Sequence, residues 1–400
     1  AGTLSFATGG LGTTGTVTMN GGTLKWGTST TTDLSARLAM VNSTAATLDT
    51  NGNDVTFANA IGSSTSASLT KAGTGALTLS AASTYTGGTT VTGGSIKPNH
   101  ADALGGLTNG VVTLNGGTLD LSGNSALNLK GLIVGASASG AVTITSGSGL
   151  VTFGTSGIDL SNSGATSLTL GTNSRTFGSS SSIAIKTGVT LNINAGTTTF
   201  SPGTTTSLSG AGSLSFGGSQ TITGSGNLTI GSGVTLLNNL QAGSGSSGFS
   251  GNVTFSANSL YNQTTTIEAL GTGTVTINSG VSIGSGTGST TRTISNPISV
   301  AGNFTIANTN SATGTTVFSN TVDLGGSIRT VTTTSNVTFS GVLSNGGLTK
   351  SGAGTLTLSN TASTFADQVS FTGGTTNVSK LANAGVNSSL GTGSTASSII

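Results

Sequence analysis

Apolar and hydroxylated residues alternate along almost the whole chain in runs of three to five. Thr16-Val17-Thr18-Met19, Val112-Thr113-Leu114, Ala141-Val142-Thr143-Ile144, Leu168-Thr169-Leu170, Leu228-Thr229-Ile230, Val275-Thr276-Ile277 and Leu356-Thr357-Leu358 are examples. A period of two puts Val, Leu, Ile and Met on one face of a strand and Thr on the other. Each run is too short to stand alone. Between the runs, Asn20-Gly21, Asn51-Gly52, Asn115-Gly116 and Asn345-Gly346 supply corners with positive φ. Asp33–Val41 alone has helical spacing, with Leu34, Leu38 and Val41 in phase, and predicts one short helical turn.

Such corners also suit antiparallel hairpins, so a sandwich or barrel has to be weighed against a stack of parallel coils. Internal repeats decide for the stack, since stacked architectures generate them. Leu11-Gly12-Thr13 through Asn20-Gly21-Gly22-Thr23-Leu24 returns at Leu107–Leu119 and at Leu270–Asn278, and begins again at Leu390. Leu69-Thr70-Lys71-Ala72-Gly73-Thr74-Gly75-Ala76-Leu77-Thr78-Leu79-Ser80 matches Leu348-Thr349-Lys350-Ser351-Gly352-Ala353-Gly354-Thr355-Leu356-Thr357-Leu358-Ser359 without a gap. Strand-like runs continue over residues 1–400 without a shift in composition, and the helices that would join parallel strands in a doubly wound fold are missing. The expectation is an all-β chain forming one continuous parallel β-solenoid, a segment of a larger protein.

Composition agrees. Gly accounts for 67 of the 400 residues, charged residues for 5% and Pro for 3 positions, while hydrophobic residues reach 33%. Disordered chains pair low hydrophobicity with high charge or high Pro, and the alternation here can bury a core. Cys is absent, so packing and hydrogen bonds have to hold the fold. The net charge of +2 is spread thinly, without the basic patch that nucleic-acid binding requires. No run approaches the ~20 apolar residues of a membrane span.

The stretch Leu69–Val91, with Leu77-Thr78-Leu79-Ser80 followed by Tyr85-Thr86-Gly87-Gly88-Thr89-Thr90-Val91, resembles the autotransporter-associated β-strand repeat, also called the passenger-associated transport repeat. Val55–Gly62 looks like its preceding strand and Ala101–Gly105 like its exit. A second copy starts at Val337, and the clearest units are 55–105 and 337–393. In that copy Phe365–Ser370 intervenes before Phe371-Thr372-Gly373-Gly374-Thr375-Thr376, which predicts a longer turn. The resemblance implies a right-handed β-helix exported to the cell surface or beyond. Its structural positions are Leu69, Lys71, Gly73, Gly75, Leu77, Leu79, Tyr85, Gly87 and Gly88, and Leu348, Lys350, Gly352, Gly354, Leu356, Leu358, Gly373 and Gly374.

Candidate chemistry is sparse. Asp33, Asp49, Asp54, Asp102, Asp120, Asp159, Asp323 and Asp367 are scattered, and corner carboxylates accepting backbone hydrogen bonds explain them. His100 has no second His and no Cys to share a metal and reads as an exposed loop residue, so no catalytic, metal or cofactor residue is assigned. Lys71 and Lys350 are expected as solvated charges that discourage sideways sheet association. Trp26, Tyr85 and Tyr261 could stack on sugar rings, Trp26 and Tyr261 being the candidate ligand contacts; core packing is the plainer reading. The Thr-x-Thr pairs, Thr143/Thr145 among them, raise ice binding as a minor reading, but their irregular spacing predicts no continuous face. The expected function is a non-catalytic extracellular stalk, fibre or matrix element, self-associating or joined to neighbouring segments. The alternative is an adhesin passenger that contacts surface glycans.

Overall fold

In the computed structural model the structure describes residues 2–62, 66–124, 126–144, 147–240, 245–263 and 270–393. Thr145 and Glu268 lie outside them. The chain forms two compact units, Ala1–Thr204 and Thr205–Ile400, and each is a parallel β-solenoid.

In the first unit one wall is built from Thr3–Phe6, Thr23–Trp26, Ala45–Asp49, Ser68–Ala72, Thr89–Val91, Gly110–Leu114 and Ala126–Val134, each parallel to the next. Val55–Phe57, Ala76–Leu79, Ser95–Pro98 and Thr118–Leu119 form a second wall in the same manner. The second unit repeats the plan. Asn227–Ile230, Val253–Phe255, Val275–Ile277 and Ile298–Val300 stack on one wall, and Arg292–Ile294, Thr316–Phe318, Val337–Phe339, Thr355–Leu358 and Thr375–Val378 on another. Paired residues such as Leu4 and Leu24, or Leu132 and Ile158, mark one circuit of the chain.

The alternation read from the sequence places the side chains. Leu24, Leu48, Val91, Leu114 and Val134 occupy one inward column, each at most 2% exposed. Like residues stack on like: Phe153, Phe177 and Phe200 lie on consecutive coils with ring centroids 5.4 and 5.5 Å apart. Such ladders remove apolar area from water at about 25 cal/mol per Å², and every coil adds one more layer.

Corners behave as the Asn-Gly pairs predict. Asn51 and Gly52 have φ of 51° and 85°, Asn345 and Gly346 of 57° and 139°. The helical turn expected in Asp33–Val41 is a 3-10 turn at Ser35–Arg37. A four-residue helix at Gly106–Asn109 was not legible. It lies on the exit from the first repeat, where Ala103 and Leu104 turn fully inward, and its composition (Gly-Leu-Thr-Asn) carries no helical signal.

The second repeat corrects the sequence alignment. Leu69 pairs with Thr89 and donates its N–H to the Gly88 carbonyl, while Leu348 pairs with Val369 and donates to the Gln368 carbonyl. Gly87 donates to Ala67 and Asp367 to Gly346. Phe365 therefore takes the place of Tyr85, both being fully buried, and Asp367-Gln368 the place of Gly87-Gly88. Gly373-Gly374 corresponds to Gly93-Gly94 instead. The predicted longer turn shrinks to one extra residue ahead of Phe365.

Candidate functional site

The expectation for the two repeat lysines is overturned. Lys71 and Lys350 are both 0% exposed. Parity explains why: in Leu69-Thr70-Lys71 and Leu348-Thr349-Lys350 the lysine shares its face with the inward leucine. Lys71 pairs with Leu48 on one side and Val91 on the other, and Lys350 with Val331 and Phe371. Each ammonium group thus stands inside an apolar column.

What holds it there is backbone. The Nζ of Lys71 donates to the carbonyls of Ala72 (2.9 Å), Gly73 (2.8 Å) and Gly93 (3.1 Å). Lys350 Nζ donates to Ser351 (3.0 Å), Gly352 (2.7 Å) and Gly373 (2.7 Å). In both copies two acceptors come from the lysine's own corner and the third from the corner one coil on. Corner carbonyls have left the sheet ladder and, once buried, need another donor; an ammonium group offers three N–H bonds. Burial pushes the Lys71 amine down to about 8, against the opposing pull of Asp49 and Asp54. Burial lowers Lys350 as well.

Glycine makes the approach fit. A Cβ on Gly94, whose φ is +60°, would lie 2.2 Å from the Gly75 carbonyl oxygen and 2.9 Å from Lys71 Nζ. On Gly374, at φ +68°, it would lie 2.4 Å from the Gly354 oxygen and 2.8 Å from Lys350 Nζ.

Arg175 uses the same device. It opens the strand Arg175–Phe177, is 1% exposed, and its Nη2 donates to the carbonyls of Gly171, Asn173 and Ala195. Burial brings it down to about 10. Asn296 is a neutral counterpart, its Nδ2 donating to Leu270 (3.1 Å), Gly271 (3.1 Å) and Gly273 (2.8 Å). Sequence reasoning missed all of these as a class. The signal was the parity of a polar residue with its inward neighbours, as in Arg175-Thr176-Phe177.

The remaining repeat positions are packing sites. Leu69, Leu77, Leu348 and Leu356 are 0% exposed and Leu79 and Leu358 nearly so. Gly73, Gly75, Gly87, Gly352 and Gly354 lie where a Cβ would strike the adjoining coil. The Tyr85 hydroxyl shares a 2.6 Å hydrogen bond with Thr89 Oγ1, and burial pushes its ionisation far up.

Trp26 and Tyr261 are buried completely, so neither ring face is open to a sugar. Trp26 packs between Phe6 and Phe57 and donates from Nε1 to the Thr32 carbonyl; Tyr261 packs on Phe255. The carboxylates take the corner role: Asp33 accepts from Ser35 and Ala58, Asp49 from Asn51, Asp54 from Ala76, Asp120 from Ser122 and Asp323 from Gly325. Asp49 also pairs with Lys25 at 3.3 Å. His100 is exposed and accepts at Nδ1 from the Asp102 N–H. Among the described residues no three His, Cys, Asp or Glu side chains gather.

One expectation about the surface changes too. Thr3, Thr23, Thr47, Thr70, Thr90 and Thr113 are register partners in succession and form one outward column. The column is a single file, because two residues further along the partners are Ser5, Lys25, Asp49 and Ala72.

Fold and corner chemistry define a parallel β-solenoid closed by inward donors. Within it, the family model of the passenger-associated-transport-repeat matches residues 69–97 and 348–379, the two segments that carry the lysine corners. The chain thus contains two such repeats, as a β-helix of the passenger type does. Neither the curated proteins nor the solved structures yield a match to it.

Proposed function

We propose that this chain is a non-catalytic structural element of an exported surface protein, its work being to hold length and shape outside the cell. The observation that carries this reading is the use made of the polar groups with chemical potential. Lys71, Lys350 and Arg175 are spent on backbone carbonyls, and most of the aspartates on corner N–H groups. The passenger-type repeats support export to the surface. Electron microscopy of the native material tests the reading: filaments, sheets or projecting stalks containing the chain are expected, and a soluble enzyme activity copurifying with it would overturn it.

A binding role is the second reading, and the threonine column, an ordered array of outward hydroxyls, favours it. Its partners would be polymers or surfaces with a repeat close to the ~4.8 Å spacing of coils, surface glycans first and ice as a minor case. A glycan array and a thermal-hysteresis measurement on the purified chain decide it; a signal lost in Thr47→Val/Thr70→Val supports contact through the column, and silence in both removes it.

A further inference from the structure

The lysine corners carry an inference that holds whether the chain is mechanical or adhesive. Three features recur in both repeats. The acceptors are all neutral carbonyl oxygens, at 2.8–3.1 Å from Lys71 Nζ and 2.7–3.0 Å from Lys350 Nζ. They come from two successive coils, so the group at their focus ties one coil to the next. The glycine that lines the focus is in the left-handed region in each case, and a Cβ there would intrude on both the nitrogen and a carbonyl.

A filler without N–H or O–H donors would not gather these dipoles, and Asn296 shows how an uncharged donor does so. Carbonyl oxygens turned toward one point repel one another unless a positive charge or several donors stand there, and the hydrogen bonds of an ionised donor are about twice as strong as neutral ones. No carboxylate is bonded to either Nζ among the described residues; Asp49 and Asp54 act on Lys71 through space only. Arg175 supplies a third case, with a different cation and the same source of acceptors. Beside it Gly196, φ +74°, would place a Cβ 2.6 Å from the oxygens of Thr172 and Asn173.

We propose that each lysine corner is a binding site for a small monovalent cation of the ammonium type, made from the carbonyls of two coils and filled by the chain's own tethered ammonium group, which thereby fixes the offset between those coils. The lysine is a positioning residue: its methylenes pack in the column and its head group holds the corners.

Chemical rescue tests this on the full chain at pH 7. Lys71→Ala and Lys350→Ala open the site, and Lys71→Met and Lys350→Met keep the stem without the charge. Thermal midpoints are compared at equal ionic strength in sodium, ammonium and n-propylammonium chloride. Both Ala variants are expected to lose about 5 °C or more in sodium, by the usual conversion of a few lost hydrogen bonds to midpoint, and to regain most of it in ammonium or propylammonium. Wild type and the Met variants are expected to respond alike to all three salts, with Met below wild type. Equal midpoints in all three salts for the Ala variants would overturn the proposal, as would Met variants as stable as wild type. Should an Ala variant fold only when refolded in ammonium salts, that selectivity supports it, and failure in every salt leaves the Met comparison to decide.

Discussion

Single positions in this chain are governed by what a side chain meets one coil away. At Gly94 and Gly374 a methyl group would be both left-handed and in collision with a carbonyl. Gly94→Ala and Gly374→Ala are each expected to cost about 3 kcal/mol or more, combining backbone strain with the clash. Gly123, also at positive φ but with nothing within 4 Å of its would-be Cβ, should cost only the strain, about 1–2 kcal/mol; urea denaturation of the three variants checks the contrast. Acetylation of the folded chain followed by peptide mass spectrometry is expected to leave Lys71 and Lys350 unmodified and to label Lys25, whose side chain is 37% exposed.

The pH dependence belongs to the same scale. Lys71 titrates near 8 folded against 10.5 for an ordinary lysine, so between those values the unfolded chain holds more protons and unfolding becomes harder as pH rises. The burial penalty on the charged amine is present below pH 8 and is relieved toward 10.5. The urea midpoint should therefore climb from pH 8 to 9.5, and climb less in Lys71→Met.

At the level of elements, each strand is two to twelve residues long and stable only by stacking. Side chains in the middle of a like-on-like ladder bear most of that. Phe177, held between Phe153 and Phe200, is expected to cost about 3–5 kcal/mol when changed to Ala. Thr176, outward on the same strand and half-buried, should cost little; equilibrium unfolding of the pair measures the difference. The strands were legible from their alternation, and so were the corners with Asn-Gly. The helix at Gly106–Asn109 was not, because its cause is the inward turn of Ala103 and Leu104. The register of the second repeat escaped as well: two Gly-Gly pairs stand within reach of a plausible alignment, and only pairing with the adjoining coil tells which is equivalent.

Over the whole molecule, cohesion comes from apolar ladders and backbone hydrogen bonds, with Lys25–Asp49 the one ion pair among the described residues. Surface pairs of this kind contribute about 0–1 kcal/mol and are screened by salt. Raising sodium chloride from about 0.1 to 0.5 M, across which the screening length shortens about twofold, is expected to leave the thermal midpoint of the wild-type chain nearly unchanged. A large loss would mean that charges outside this account hold the coils together.

The sequence by itself determined the architecture, because a period of two, glycine-rich corners and gapless internal repeats leave few folds open and all act locally. It also determined that Lys71 and Lys350 are equivalent. Tertiary structure alone decided what they do. Whether a lysine inside an alternating run points to solvent or into the lumen depends on the acceptors waiting there, and those are carbonyls of Gly93 and Gly373, supplied 22 and 23 residues further along the chain by the next coil. The same holds for the threonine column: six residues spaced unevenly in sequence fall into line only because successive coils differ in length while their strands remain in register.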